Sequence, residues 1–221
     1  MLRTILKSLS ALFGSKKAPN IPKRNFGTGR ITEPEDLREE LVGVAGALSA
    51  RTALETVQPL AVKYDPDARL IQVLSGPDLT VAGRSHEWSF HYLFPDRWAR
   101  AEFRVVTAPK GTARNPRTDY FWTCVTPFPP PGSALQGMLA EGREGFVKQQ
   151  WEVELGKSIP LPTGFRDSSE AVEEFSRQGT DLRRLPEGTR LEGIGLPLGE
   201  LVWRLTDLDP GKKSKVQAPF S

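Results

Sequence analysis

The feature that most restricts how this chain can fold is a row of four large rings on every second residue. Trp88, Phe90, Tyr92 and Phe94 alternate with Ser89, His91 and Leu93. In an extended strand successive side chains point to opposite faces, so all four rings share one face. That much apolar surface needs a covering layer, and the spacing predicts a sheet with helix packed on it. Pro95-Asp96 reads as a turn, and Ala101, Phe103 and Val105 alternate with Glu102 and Arg104 on a return strand. A preceding strand is predicted at Leu70, Ile71, Val73 and Leu74, closed by Gly76-Pro77, and a later one at Tyr120–Val125. The four prolines of Pro127–Gly132 disfavour regular structure there.

The covering helix is predicted over residues 53–64. Thr52-Ala53-Leu54-Glu55 has capping-box spacing, and Ala53, Val57, Leu60, Ala61 and Tyr64 form its apolar stripe. Pro59 lies inside that stripe and predicts a kink or a shortened helix, and Asp65-Pro66-Asp67 stops it. Upstream, Leu37, Leu41, Val44, Ala45 and Leu48 fall at helical spacing. They predict a further helix over Glu33–Ser49 with Thr32 as its cap. Residues 133–163 carry weaker signals, with a short helix expected near 134–150.

The same order of elements then returns. Asp167-Ser168-Ser169-Glu170 has the spacing of a capping box, followed by Ala171, Val172 and Phe175 and closed by Gly179. A short strand is expected at Leu191–Ile194 and an alternating one at Leu201, Trp203 and Leu205. Asp209-Pro210-Gly211 gives a turn into a last strand over 213–218. Laying Ala53 on Ala171, Leu70 on Leu191, Trp88 on Trp203 and Val105 on Val216 aligns four elements in one order, with uneven internal spacing. The chain therefore reads as α+β. Residues 1–31 form a basic tail and linker, 32–132 a first unit with a preceding helix, and 133–221 a linker and second unit.

The residues Ala61…Tyr64-Asp65-Pro66-Asp67-Ala68-Arg69-Leu70, then Gly83…Glu87-Trp88-Ser89-Phe90, resemble a PepSY-like module. So do Asp167-Ser168-Ser169-Glu170-Ala171, Trp203 and the final hairpin. The resemblance covers about half of the chain. It implies tandem α-β-β-β units, a bacterial source and a role in protein interaction or regulation, and it supplies no catalytic motif.

Charge divides the chain unevenly. Residues 1–30 hold Arg3, Lys7, Lys16, Lys17, Lys23, Arg24 and Arg30 with no acid, whereas the whole chain is only +3. The remainder is thus −4, and the basic pI belongs to the tail. Leu2, Ile5, Leu6, Leu9, Leu12 and Phe13 fall at helical spacing. Two readings stand: a segment that meets an anionic membrane surface or a partner, or one that packs on its own body or a neighbouring copy. Lys7 and two serines interrupt the apolar run an export signal requires, and Cys124 is the single cysteine, so a cytoplasmic location is expected.

Chemistry-bearing groups are sparse. His86 and His91 are the only histidines, and Cys124 has no basic neighbour in sequence. Glu39-Glu40 and Glu173-Glu174 are expected on the polar sides of helices, and Gly27-Thr28-Gly29 follows no strand, so it is no phosphate loop. No metal, cofactor or nucleophile motif appears, and the chain is expected not to be an enzyme. The candidate partner-binding set is Arg84, Trp88, Phe90, Tyr92, Arg97 and Arg100, where rings flanked by arginines would stack bases if that face were open. The competing reading makes the rings core. The candidate tail contacts are Arg3, Lys7, Lys16, Lys17, Lys23 and Arg24. A protein partner or self-association is expected, with nucleic acid as the alternative.

Overall fold

The computed structural model describes residues 35–40 (backbone only), 46–107, 120–160, 166–184, 188–196 and 200–206. Among these the chain forms one antiparallel sheet. Its strands are β1 (Glu35–Glu40), β2 (Arg69–Ser75), β3 (Glu87–Phe94), β4 (Ala99–Val106), β5 (Tyr120–Pro127), β7 (Arg190–Leu196) and β8 (Glu200–Thr206). They lie in the order β1-β5-β4-β3-β2-β7-β8, and a two-residue β6 (Ile159–Pro160) pairs with β2. The helices are α1 (Ala50–Tyr64), α2 (Ala134–Ala140), α3 (Glu144–Leu155) and α4 (Ser168–Arg177). The α+β class with an antiparallel sheet is as expected.

Two layers of helix flank the sheet. On one face α1 and α4 cover Trp88, Phe90, Tyr92, Phe94, Phe103, Leu191 and Trp203, all within one continuous core. Tyr64 of α1 stacks on Phe94 at 5.7 Å between ring centroids, and Trp88 meets Trp203 edge-on at 6.5 Å. Leu93, one residue before Phe94, points the other way. It packs with Phe128, Val147 and Trp151 beneath the α2–α3 pair. The aromatic strand is therefore buried on both faces over its last residues.

The predicted helix over 33–49 is corrected. Glu35–Glu40 is strand, paired antiparallel with β5 from Glu35 opposite Val125 to Glu40 opposite Tyr120. Glu39-Glu40 therefore belongs to an edge strand, not to a helix face. Helix α1 also starts earlier than predicted: Ser49 is its cap, its hydroxyl accepting from the Thr52 N–H at 3.3 Å. It runs through Pro59 to Tyr64, with Pro59 and Glu55 both exposed. The Glu55 carbonyl, which lacks an N–H partner at Pro59, lies on the solvent side of the helix. The expected short helix near 134–150 is two helices, separated at Gly142 in the left-handed region. The turn at 209–211 and the strand over 213–218 lie outside the described residues, as do Thr32 and Gly27-Thr28-Gly29.

The starts of α1 and α4 meet. The Ser168 hydroxyl donates to the Gly83 carbonyl at 2.6 Å and accepts from the Ala50 N–H at 2.9 Å. Asp167 caps α4 in the predicted capping box, and its carboxylate also accepts the Arg51 N–H at 2.9 Å. One side chain thus serves free amides of two helices that lie more than a hundred residues apart in sequence. The pairing of β2 with β7 joins the same two segments in the sheet. The Ser75 hydroxyl accepts the Leu191 N–H at 2.8 Å, and Glu192, nearly buried, accepts from Arg204 at 2.6 Å and from Gln72.

Candidate functional site

The candidate set named from sequence is not brought together. Trp88, Phe90 and Tyr92 are at most 1% exposed, so these rings are core and offer no stacking face. Arg84 is exposed in the loop before β3, on the side of the α4 start. Arg97 is nearly buried in the β3–β4 turn, over the Tyr64 ring. Arg100 is on the opposite face, paired with Glu154 of α3 at 3.2 Å and lying over the Phe128 ring. The tail residues Arg3, Lys7, Lys16, Lys17, Lys23 and Arg24 lie outside the described residues.

The other singled-out groups serve the scaffold. His86 precedes β3, with Nδ1 2.7 Å from the Thr107 carbonyl oxygen. His91 lies on the sheet face opposite α1, so the two histidines do not converge. Cys124 is half-buried in β5, 3.9 Å from the Thr126 hydroxyl. Glu174 pairs with Arg177 on the outer side of α4. Among the described residues no three His, Cys, Asp or Glu side chains gather as a metal set. No helix among them is long and apolar enough to cross a membrane.

A cleft of about 440 Å³ opens between the β3–β4 turn and the α2–α3 pair, lined by Trp98, Leu139, Glu144, Gly145, Val147 and Lys148. Trp98 closes the turn with φ at +48°, the one described non-glycine residue with positive φ. A bulky side chain there is unfavourable by about 1–2 kcal/mol relative to glycine. Two contacts offset that cost. The indole stacks on Trp151 at 6.0 Å, and the Trp98 carbonyl accepts the Phe128 N–H at 2.6 Å. The turn is also held from the core side. Asp65, the C-terminal cap of α1, accepts the N–H of Asp96 at 3.0 Å and of Asp67 at 2.9 Å. The end of α1 therefore fixes the turn that carries Trp98.

The cleft's chemistry follows from its lining. Val147 is fully buried at its floor, with Leu139 and the half-buried Trp98 beside it. Glu144 and Lys148 are exposed one turn apart at the start of α3, and a side chain at Gly145 would meet nothing within 4 Å. The open apolar surface of the cleft thus comes from the half-buried Leu139 and Trp98, with charge at its rim. Sequence reading missed it because its parts lie on a turn and a helix about 50 residues apart. The one local signal is a tryptophan where a hairpin turn usually has glycine.

Four titratable groups depart from their ordinary behaviour, and burial alone raises one of them, the Tyr92 hydroxyl. Burial would raise the Asp167 carboxyl, but hydrogen bonds from the Arg51 N–H, the Ser49 hydroxyl and Ser168 outweigh it and hold the group low. Burial raises Asp65, partly countered by its two backbone N–H partners. Burial lowers His91; Glu102 and Glu192 oppose that shift while Arg104 and Arg100 add to it. A histidine lowered in the fold stays neutral where the unfolded chain already binds a proton. Stability therefore falls as pH drops below the ordinary value of 6.5 toward the folded value. The urea midpoint of the protein is expected to fall between pH 7 and 5.5, and His91→Gln to flatten that fall. An unchanged slope in the variant would show that His91 is not its source.

Comparison of the chain with protein-family models, with curated proteins and with solved structures finds no match.

Proposed function

We propose that this chain is a non-enzymatic interaction or regulatory module. In this reading it acts in the bacterial cytoplasm and takes an apolar side chain of a protein partner in the Trp98 cleft. The cleft carries the proposal: an apolar floor, a tryptophan kept in an unfavourable backbone conformation, and charges at the rim rather than converging inside. The groups that chemistry would need are engaged elsewhere, Asp167 and Ser168 in fastening helices and Asp65 in holding a turn. A nucleic-acid role would rest on the tail alone, since the aromatic strand lies in the core.

The tandem PepSY-like architecture belongs to the same proposal. Trp88 Nε1 donates to the Leu48 carbonyl and Trp203 Nε1 to the Arg166 carbonyl, both at 2.9 Å. Each acceptor is the residue just before a helix cap, Ser49 or Asp167. The antiparallel β2–β7 pair between the halves has a local two-fold relation, which suits two related units on one sheet.

Affinity capture with the full chain and with Gly145→Leu tests the reading. The variant fills open space on a helix, where leucine is favoured over glycine by roughly 0.5–1 kcal/mol, so its fold is expected to be retained. The native chain is expected to retain a stoichiometric protein that Gly145→Leu loses. Equal recovery by both, or a nuclease-sensitive complex, would count against the cleft as the binding site.

A further inference from the structure

We propose that the chain's own N-terminal segment, residues 2–13, docks its apolar side chains in the Trp98 cleft and so competes with a partner there. This deepens the reading above and rests on the cleft being a binding site. Strand β1 begins at Glu35 opposite Val125, near the end of β5 that leads through Pro127 to Phe128. The Phe128 N–H bonds to the Trp98 carbonyl, and Ala99 pairs with Pro127. The chain therefore enters the sheet at the end where the cleft opens, two strands away, or roughly 10 Å. Residues 14–34 lie between Phe13 and Glu35 and can span up to roughly 70 Å, so reach is not limiting.

The chemistry of the two parts matches. Leu2, Ile5, Leu6, Leu9, Leu12 and Phe13 supply side chains of the kind the floor accepts, and Arg3 and Lys7 lie among them. Tethering in one chain gives the tail an effective concentration of about a millimolar, so modest intrinsic affinity suffices. Helix α2 lies at the edge of the Phe128–Trp151 cluster. It has no buried residue, and it is bracketed by Gly132 and Gly142 at φ +73° and +79°. Its Leu135, Met138 and Leu139 are only half-buried.

Directed cross-linking in the full chain tests this. In a Cys124→Ser background, Leu9→Cys is combined with Gly145→Cys at the cleft, or with Arg183→Cys, an exposed site after α4 on the far side of the sheet. On mild oxidation with glutathione disulfide, an intramolecular bond is expected to form at least about tenfold faster with position 145 than with 183. Adding Leu6→Asp and Phe13→Asp is expected to remove that preference. Equal rates at the two sites, or products that are only dimeric, would overturn the proposal. The second result would assign the cleft to another copy's tail. No partner is present in the assay, so failed capture of a partner and failed docking of the tail are separate outcomes.

Discussion

Replacing Gly83 by alanine is expected to destabilise the protein by roughly 2–5 kcal/mol, read as a lowered urea midpoint with little change in slope. Two effects combine. Gly83 has φ at +69°, where a side chain costs about 1–2 kcal/mol. A Cβ there would also lie 2.4 Å from the Ser168 carbonyl oxygen and 2.6 Å from its carbon. Those atoms are helix backbone and cannot rotate aside, so the loop or the start of α4 must move. Either shift strains the Ser168–Gly83 bond, and with it the contact of Ser168 with Ala50. Gly142→Ala separates the two effects. It has the same sign of φ, at +79°, but open space around the new Cβ, and is expected to cost only the backbone share of about 1–2 kcal/mol. Equal losses in the two variants would mean that the helix starts are not tightly joined at Gly83.

The fold was legible where the determining contacts are local. Asp167-Ser168-Ser169-Glu170 caps its helix through neighbours one to three residues away, so the motif alone locates the start. The alternation at 88–94 and 99–106 needs only the strand's own period, and its core face was readable for that reason. Distant contacts were not legible. Residues 35–40 carry Leu37 of the helical stripe, but pairing with β5, 80 to 90 residues on, makes them a strand. The start of α1 shifts to Ser49 because Ser168 and Asp167 supply partners for its first amides from far along the chain. The candidate arginines failed as a set for a similar reason. Arg84, Arg97 and Arg100 flank one strand in sequence, yet a loop, a turn and a strand face send them in different directions. The cleft had no sequence signal beyond Trp98, since it forms only when α3 lies across the sheet.

The tryptophans carry the second large effect. Trp203 is fully buried against Trp88 and the start of α4, so Trp203→Ala is expected to cost about 3–5 kcal/mol. Trp88→Ala is expected to fall in the same range, because its ring is equally enclosed and also bonds to the residue before a helix cap. Phenylalanine is the sharper probe. It keeps most of the apolar surface and removes the indole N–H that ties each strand to its helix.

The most direct test of a scaffold made of two similarly built halves is therefore urea unfolding of Trp88→Phe and Trp203→Phe side by side. Each variant is expected to lose about 1–2 kcal/mol in one cooperative transition, since each strips one hydrogen bond from a carbonyl at a helix start. A marked loss in Trp88→Phe with none in Trp203→Phe would contradict it. So would a separate early transition for the second half.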